Sequence, residues 1–146
     1  MTVYALDTNV MVSHLRDDRF AEETGLFLRR AIEKKIRLLM PDIVYAELYS
    51  GIYLSEDPKS EEARVQSLLA VNNIEIRIPR SLKIAKRAGE LYSKHLRGGR
   101  NGARRILPDF LIAAQAEASS EAFVTWNVLD YQHLGLKIPV LPPNRA

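Results

Sequence analysis

Four acidic residues occupy separated positions at which their carboxylates could act together, namely Asp7, Glu47, Asp109 and Asp130. Asp7 directly follows a short apolar run, and Asp130 lies shortly after another. Carboxylates that lie close together repel each other, and at roughly 5 Å with an effective dielectric near 20 each pair costs about 3 kcal/mol. Proteins tolerate such a cluster when a divalent cation or a shared proton neutralises part of its charge. A convergent set of these acids would therefore predict a metal site.

The composition restricts which metal such a site could hold. The chain has 146 residues and no cysteine, and its histidines (His14, His95 and His133) lack the spacing of zinc ligands. Carboxylate oxygens instead suit Mg²⁺ or Mn²⁺. These ions lower the pKa of a bound water and stabilise charge on a phosphodiester during hydrolysis. We therefore expect metal-dependent phosphodiester chemistry if the acids converge.

Each acid also has a simpler structural interpretation. Asp7 could cap a helix, Asp109 could interact with a helix dipole, and Asp130 could be a turn residue. Glu47 lies on a helix face with apolar neighbours, where an acid is unusual unless it is paired. For three of the four the structural interpretation is stronger when each is taken singly, and only their order and setting together favour the functional one.

The elements that must position the acids alternate between short apolar strands and amphipathic helices. Strands are predicted at residues 3–6, 36–40, 74–78, 122–125 and 138–141, with helices between them. Strands separated by helices pair in parallel through crossovers, which predicts a three-layer α/β/α sandwich with a central parallel sheet, in a single domain spanning residues 1–146. Because ligands of such sheets bind at the carboxyl ends of the strands, the four acids are expected at one rim.

A basic segment without acids leads into Asp109; its cations are Lys94, Arg97, Arg100, Arg104 and Arg105. The first two are interpreted as the cationic end of a helix. The three arginines that follow are predicted to contact the phosphate backbone of RNA, because such contacts are electrostatic and tolerate any base sequence.

A tyrosine stripe is predicted on the helix that carries Glu47. Tyr45, Tyr49 and Tyr53 recur every fourth residue and lie roughly opposite Glu47, since two helical positions turn the chain by about 200°. Packing against a neighbouring helix is the favoured interpretation. A surface for a partner protein is the alternative, because tyrosine is enriched where one end of a side chain stays in water.

Four segments resemble, in order, the motifs of the PIN-domain nucleases and particularly of VapC-type toxins. They are Leu6–Val10, Ile43–Gly51, Pro108–Ala114 and Val124–Tyr131, and together they extend over nearly the whole chain. The resemblance implies an endoribonuclease that depends on Mg²⁺ or Mn²⁺ and has a parallel sheet. It also implies a homodimer and a cognate VapB-type antitoxin, whose peptide covers a groove near the active site.

The resemblance also implies roles for individual residues. The three acids Asp7, Glu47 and Asp109 match the most constant acids of the family, whereas some members carry an acid where this chain has Asn127. Asp130 is expected to supply the fourth charge, directly or through water, with Asn127 and Thr125 as neutral oxygen partners. Thr8 and Asn9 are expected to orient Asp7 or a metal-bound water.

Two other functions remain as alternatives. The chain could be a catalytically weak RNA-binding module of the same fold. A receiver or phosphatase-like phosphotransfer domain would also carry an aspartate after its first strand. The phosphatase pattern, however, requires a second aspartate where this chain has Asn9, the acid pair of a receiver is absent, and both leave Glu47 unexplained.

The location of the protein is predicted from what the sequence does not contain. The first residues include a charge at Asp7 and do not resemble a signal peptide. No apolar run approaches the length of a membrane span. We therefore expect a soluble, cytoplasmic protein that makes no membrane contact.

Overall fold

A parallel sheet of five strands lies at the centre of the chain, as the computed structural model shows for residues 1–79, 81–98 and 106–146. The strands are β1 (Val3–Leu6), β2 (Arg37–Pro41), β3 (Ile74–Arg77), β4 (Ala122–Val124) and β5 (Val140–Leu141). Their spatial order is β3-β2-β1-β4-β5, and every neighbouring pair is parallel. The predicted α/β class with a central parallel sheet is confirmed.

Helices flank this sheet and connect its strands. They are α1 (Thr8–Leu15), α2 (Ala21–Glu33), α3 (Asp42–Leu54), α4 (Pro58–Val71), α5 (Leu82–Arg97), α6 (Leu107–Ser119) and α7 (Val128–Tyr131). Within the described ranges, no helix combines the length and apolar character needed to cross a bilayer. The N-cap of α4 is Asp57, whose side chain accepts from the Ser60 backbone N–H at 3.2 Å, so Ser60 lies inside the helix.

The burial of the strands follows from their places in the sheet. In the central strands β1 and β4, Leu6 and Phe123 are each 0% exposed, because helices cover both faces. In β3 the exposed fraction rises from 8% at Ile74 to 40% at Ile76. The alternating pattern of this segment therefore belongs to an edge strand.

The strand order places a switch point between β1 and β4. The chain continues from β1 to β2 and β3 on one side, and later to β4 and β5 on the other. The backbone N–H of Asp7 still donates to Val124 O at 3.0 Å, so the ends of these two strands are held together. This crevice is where parallel sheets bind their ligands.

Helices α5 and α6 pack antiparallel to each other. Arg87 of α5 pairs with Glu117 near the end of α6, whereas the His95 ring lies 5.2 Å from that of Phe110 in the first turns of α6. The last turn of α5 therefore lies beside the start of α6, close to Asp109.

Candidate active site

Asp7 is the buried centre of the candidate site. It is the N-cap of α1, and its side chain is only 4% exposed. Its carboxylate accepts hydrogen bonds from the Thr8 backbone N–H at 2.8 Å, Thr125 Oγ1 at 2.8 Å and Asn9 Nδ2 at 3.2 Å. Burial nevertheless raises the pKa of Asp7 to about 6, because desolvation disfavours the charged form more than these bonds favour it.

Asp109 and Glu47 lie close enough for their charges to raise the pKa of Asp7 further. Glu47 is exposed on α3, and its Oε1 accepts from Thr8 Oγ1 at 2.6 Å. Asp109 lies in the first turn of α6, where its Oδ2 accepts from the Ile106 backbone N–H at 3.0 Å. The structure thus places Glu47 and Asp109 within electrostatic reach of Asp7. Asp7 also has the capping role that its position suggested, and Asp109 lies in the first turn of α6, as its interpretation as a helix-dipole residue expected.

The loop after β4 completes the polar surroundings of Asp7. Thr125 is 0% exposed, and its Oγ1 accepts from Asn9 Nδ2 and from the Asn127 backbone N–H, each at 3.0 Å. Asn127 is the N-cap of α7, and the backbone N–H of Asp130 donates to its carbonyl at 3.0 Å. Thr125 and Asn9 therefore contact Asp7 directly. Asn127 is connected to Asp7 through Thr125, whose hydroxyl accepts from the Asn127 backbone N–H. The role of Asp130 as a fourth ligand stays a prediction.

The donor set fits a hard divalent cation. Mg²⁺ and Mn²⁺ prefer oxygen ligands, and here a buried carboxylate with a raised pKa lies near two other acids. Such a cluster is destabilising until a cation or a proton neutralises it. Among the residues that the structure describes, no three acidic or histidine side chains are already drawn together as a ligand set. Glu47 accepts a hydrogen bond from Thr8 Oγ1, and Asp109 accepts one from the Ile106 backbone N–H.

The predicted RNA-contacting arginines, Arg100, Arg104 and Arg105, lie outside the described residues. The two cations that precede them can be placed. Lys94 and Arg97 lie in the last turn of α5, in agreement with their interpretation as a cationic helix end.

The tyrosine stripe packs against α4. Gln66 Nε2 donates to the hydroxyls of Tyr45 at 3.1 Å and Tyr49 at 3.0 Å, and Tyr49 in turn donates to Glu62 at 2.5 Å. The rings of Tyr45 and Tyr49 lie 4.8 Å apart. Tyr53, by contrast, is 72% exposed. The interpretation as helix packing is confirmed for the first two tyrosines, and only the third remains available to a partner.

A groove begins beside Glu47. It has a volume of about 710 Å³ and runs between α1, α3 and α4. Val12, Leu48 and Ile52 contribute apolar walls, and Arg16 lies among its charged residues. It has no sequence signature, because three helices form it together.

Trp126 is a second feature that sequence reasoning missed. Its backbone N–H donates to Asn9 Oδ1 at 3.0 Å, and its indole Nε1 donates to Thr24 Oγ1 at 3.0 Å. It is the one tryptophan of the chain, and it directly follows Thr125. Its place directly after Thr125 was the only indication in the sequence that Trp126 lies near the site. The contact with Thr24 cannot be inferred from the sequence, because the two residues lie far apart along the chain.

Comparison with known proteins places these features in a wider group. Residues 4–127 match the family described as PIN domain. No curated protein gave a significant match to the sequence. Among solved structures, VapBC2 from Rickettsia felis, bound to a DNA fragment from its promoter, is 24% identical with a TM-score of 0.76, covering 96% of this chain and 98% of that one.

Two further structures resemble the chain over nearly its full length. VapBC-1 from nontypeable Haemophilus influenzae is 20% identical with a TM-score of 0.76, covering 99% of this chain and 100% of that one. FitAcB from Neisseria gonorrhoeae is 23% identical with a TM-score of 0.68, covering 96% and 97%. At these identities the likeness establishes a shared fold.

Proposed function

The chain belongs to the PIN domain family, and from this membership we propose that it is an endoribonuclease that uses Mg²⁺ or Mn²⁺ to hydrolyse RNA phosphodiester bonds. PIN domains are generally nucleases, and the candidate site lies at the carboxyl ends of β1 and β4, where parallel sheets bind their ligands. The observation that carries the proposal is the burial of Asp7 beside the charges of Asp109 and Glu47. Because burial and the neighbouring acids disfavour the charged form of Asp7, a bound cation would stabilise these carboxylates.

In this proposal, Asp7, Glu47 and Asp109 hold the cation, and Asn127 and Asp130 complete the fourth corner of the site. When bound, the cation would lower the pKa of a water and stabilise charge on the phosphodiester. The neighbouring residues orient the acids by the hydrogen bonds described above: Thr8 acts on Glu47, and Asn9 and Thr125 act on Asp7.

The proposed RNA contacts are electrostatic. Arg100, Arg104 and Arg105 lie in the sequence between the last turn of α5 and the first turn of α6, and the two helix ends flank the candidate site. Contacts of this kind hold a phosphate backbone without reading its bases. The site would therefore bind RNA through its backbone, whatever its base sequence.

We further propose that the protein is the toxin of a VapBC-type toxin–antitoxin pair, cytoplasmic and homodimeric. Similar structures are named as VapBC assemblies, which supports a VapB-type antitoxin as the partner. The groove beside Glu47 supports the same proposal, because its apolar walls and mixed charges suit an amphipathic peptide segment. A segment bound there would end at the acids and obstruct RNA.

RNA cleavage by Asp7→Asn and Asp109→Asn tests the nuclease proposal. Each variant removes one carboxylate, and we expect the metal-dependent rate to fall by more than about 100-fold, beyond the usual effect of losing a supporting hydrogen bond. Asp17→Asn is the matched control, because Asp17 is exposed and its positive φ of 50° is compatible with asparagine. Unchanged cleavage by both site variants would refute the assignment.

A catalytically weak RNA-binding module of the PIN fold is the second candidate. Asn127 at the fourth position favours it, because a neutral amide holds a cation less strongly than a carboxylate. Thermal unfolding with and without Mn²⁺ separates the two functions. A metal-dependent enzyme gains about 2.7 kcal/mol of stability at a hundredfold excess over Kd, whereas a module that binds no metal gains nothing.

A further inference from the structure

Trp126 donates into a buried series of hydrogen bonds that ends on α1. Its Nε1 donates to Thr24 Oγ1 at 3.0 Å, Thr24 Oγ1 lies 2.7 Å from Ser13 Oγ, and Ser13 Oγ donates to Val10 O at 2.8 Å. A hydroxyl has one hydrogen to donate. Since Ser13 gives its hydrogen to Val10, Thr24 must donate to Ser13 and accept from Trp126. We call Trp126, Thr24 and Ser13 the indole chain.

The two hydroxyls of the indole chain are closed off from water, and its hydrogen bonds run in one direction. Thr24 is 0% exposed and Ser13 is 1% exposed, so each hydroxyl depends on the next for its hydrogen bonds. The ring of Trp126 also stacks on Phe20, with centroids 4.3 Å apart and planes 18° apart. An unmade bond in such a place costs the desolvation of the group that is left without a partner. The position of the indole is therefore tightly constrained.

The backbone of Trp126 contacts the candidate site from the other side. Its N–H donates to Asn9 Oδ1, and Asn9 Nδ2 donates to both Asp7 Oδ2 and Thr125 Oγ1. Thr125 is the residue before Trp126, and its hydroxyl donates to the same Asp7 oxygen. Both side-chain donors to Asp7 Oδ2 are thus connected to Trp126, one by a hydrogen bond and one by a peptide bond.

We propose that Trp126 is a positioning residue for the metal site, which the indole chain and Phe20 fix so that Asn9 and Thr125 hold Asp7 Oδ2 in the orientation that binds the cation. This proposal rests on the proposed function and deepens it. A side chain that orients a ligand by a hydrogen bond typically changes metal affinity or rate by about 10- to 100-fold when that bond is lost. Small displacements of a catalytic group have comparable effects on rate.

Thr24→Val tests the proposal without touching the site. Valine keeps the shape of threonine but removes the hydroxyl that accepts from the indole and donates to Ser13. Because the sequence has one tryptophan, its fluorescence reports on Trp126 alone. Mn²⁺ affinity by calorimetry and the separate kcat and KM for RNA then measure the consequence. We expect Mn²⁺ binding and kcat to fall about 10- to 100-fold, with KM changed by less than about threefold.

Ser120→Ala is the matched control for loss of a hydroxyl. Ser120 directly follows α6, and its Oγ lies 2.7 Å from Ala116 O, the nearer acceptor for its one hydrogen, and 3.1 Å from Ala122 O at the start of β4. A merely structural role for Thr24 predicts that both variants lose stability and neither loses Mn²⁺ affinity. Trp126→Phe is the second variant, because it keeps an aromatic ring beside Phe20 and removes the indole donor. It supplies the same affinity and rate measurements if Thr24→Val does not fold.

The outcomes separate this inference from the proposed function. If the wild-type protein binds Mn²⁺ and cleaves RNA, but Thr24→Val matches Ser120→Ala in Mn²⁺ affinity and kcat while its fluorescence shifts, the positioning role is wrong and the nuclease remains. If the wild-type protein neither binds Mn²⁺ nor cleaves RNA, both proposals are overturned. If Thr24→Val loses Mn²⁺ affinity and Ser120→Ala does not, the result supports the inference.

Discussion

Asp7 should destabilise the metal-free protein at neutral pH, and Asp7→Asn should reveal by how much. The pKa of this carboxyl is about 6 in the folded chain, against 3.8 for an ordinary aspartate. Folding therefore favours the protonated form. A difference of roughly two pH units, at 1.36 kcal/mol each, corresponds to about 3 kcal/mol of lost stability once the pH exceeds 6.

The sign and the pH window follow from the raised pKa. Below pH 3.8 both the folded and unfolded chains hold the proton, and the residue has no effect. As the pH rises towards 6, the unfolded chain releases the proton first, so the free energy of unfolding falls. Above about pH 6 the full loss of about 3 kcal/mol in the free energy of unfolding is present. Asparagine carries no charge at any of these values and lacks this dependence.

Urea unfolding in the presence of a chelator measures the effect. Asp7→Asn also changes the hydrogen bonds to Thr125 and Asn9, but that contribution is largely independent of pH. The informative quantity is therefore the stability of the variant minus that of the wild type. We expect it to rise by about 2 kcal/mol between about pH 4 and pH 7.5, and Mn²⁺ to reduce it by stabilising the wild-type carboxylate.

The control is Asp17→Asn, which removes an exposed carboxylate. Its stability relative to the wild type should change little over the same range, because an exposed group is solvated in both states. A pH-independent difference between Asp7→Asn and the wild type would refute the reasoning. It would mean that burial does not disfavour the charge of Asp7 as the structure requires.

Two further predictions concern RNA binding and helix packing. Charge reversal of the three arginines predicted to contact RNA should weaken RNA binding and flatten its salt dependence; an unchanged salt slope in a binding titration would argue against those contacts. Arg87→Met should destabilise the protein by about 1–3 kcal/mol in urea unfolding, because Arg87 makes two hydrogen bonds, at 2.8 and 3.1 Å, to the largely buried Glu117. Cleavage per folded molecule should stay at the wild-type level, and a loss would mean that this pair also acts on the site.

The secondary structure was largely predictable because its signals are local. The apolar run of β1 and the helix that starts around Pro108 appear within a few residues of where they were expected. The boundaries of helices are harder to predict where several residues could serve the same local role. Ser60 and Asp57 are both suitable caps for α4, and only the direction in which the chain enters the helix selects Asp57.

The candidate site was predictable in part. The order of Asp7, Glu47 and Asp109 along the chain indicated an acid cluster, and the structure places Glu47 and Asp109 within electrostatic reach of Asp7. The sequence could not indicate that Glu47 accepts from Thr8 and Asp109 from the Ile106 backbone N–H. These hydrogen bonds depend on the directions in which α3 and α6 meet the sheet.

The sequence by itself determined the kinds of elements, their order and the acids that they carry, because hydrophobic period, caps and turn residues act over a few positions. Only the tertiary structure decided which distant residues meet. Thr125 reaches Asp7 across 118 residues because β1 and β4 pair in one register, and Trp126 reaches Thr24 across 102 because α2 packs beside the same loop. Such contacts depend on how strands pair and helices pack, which no short stretch of sequence contains.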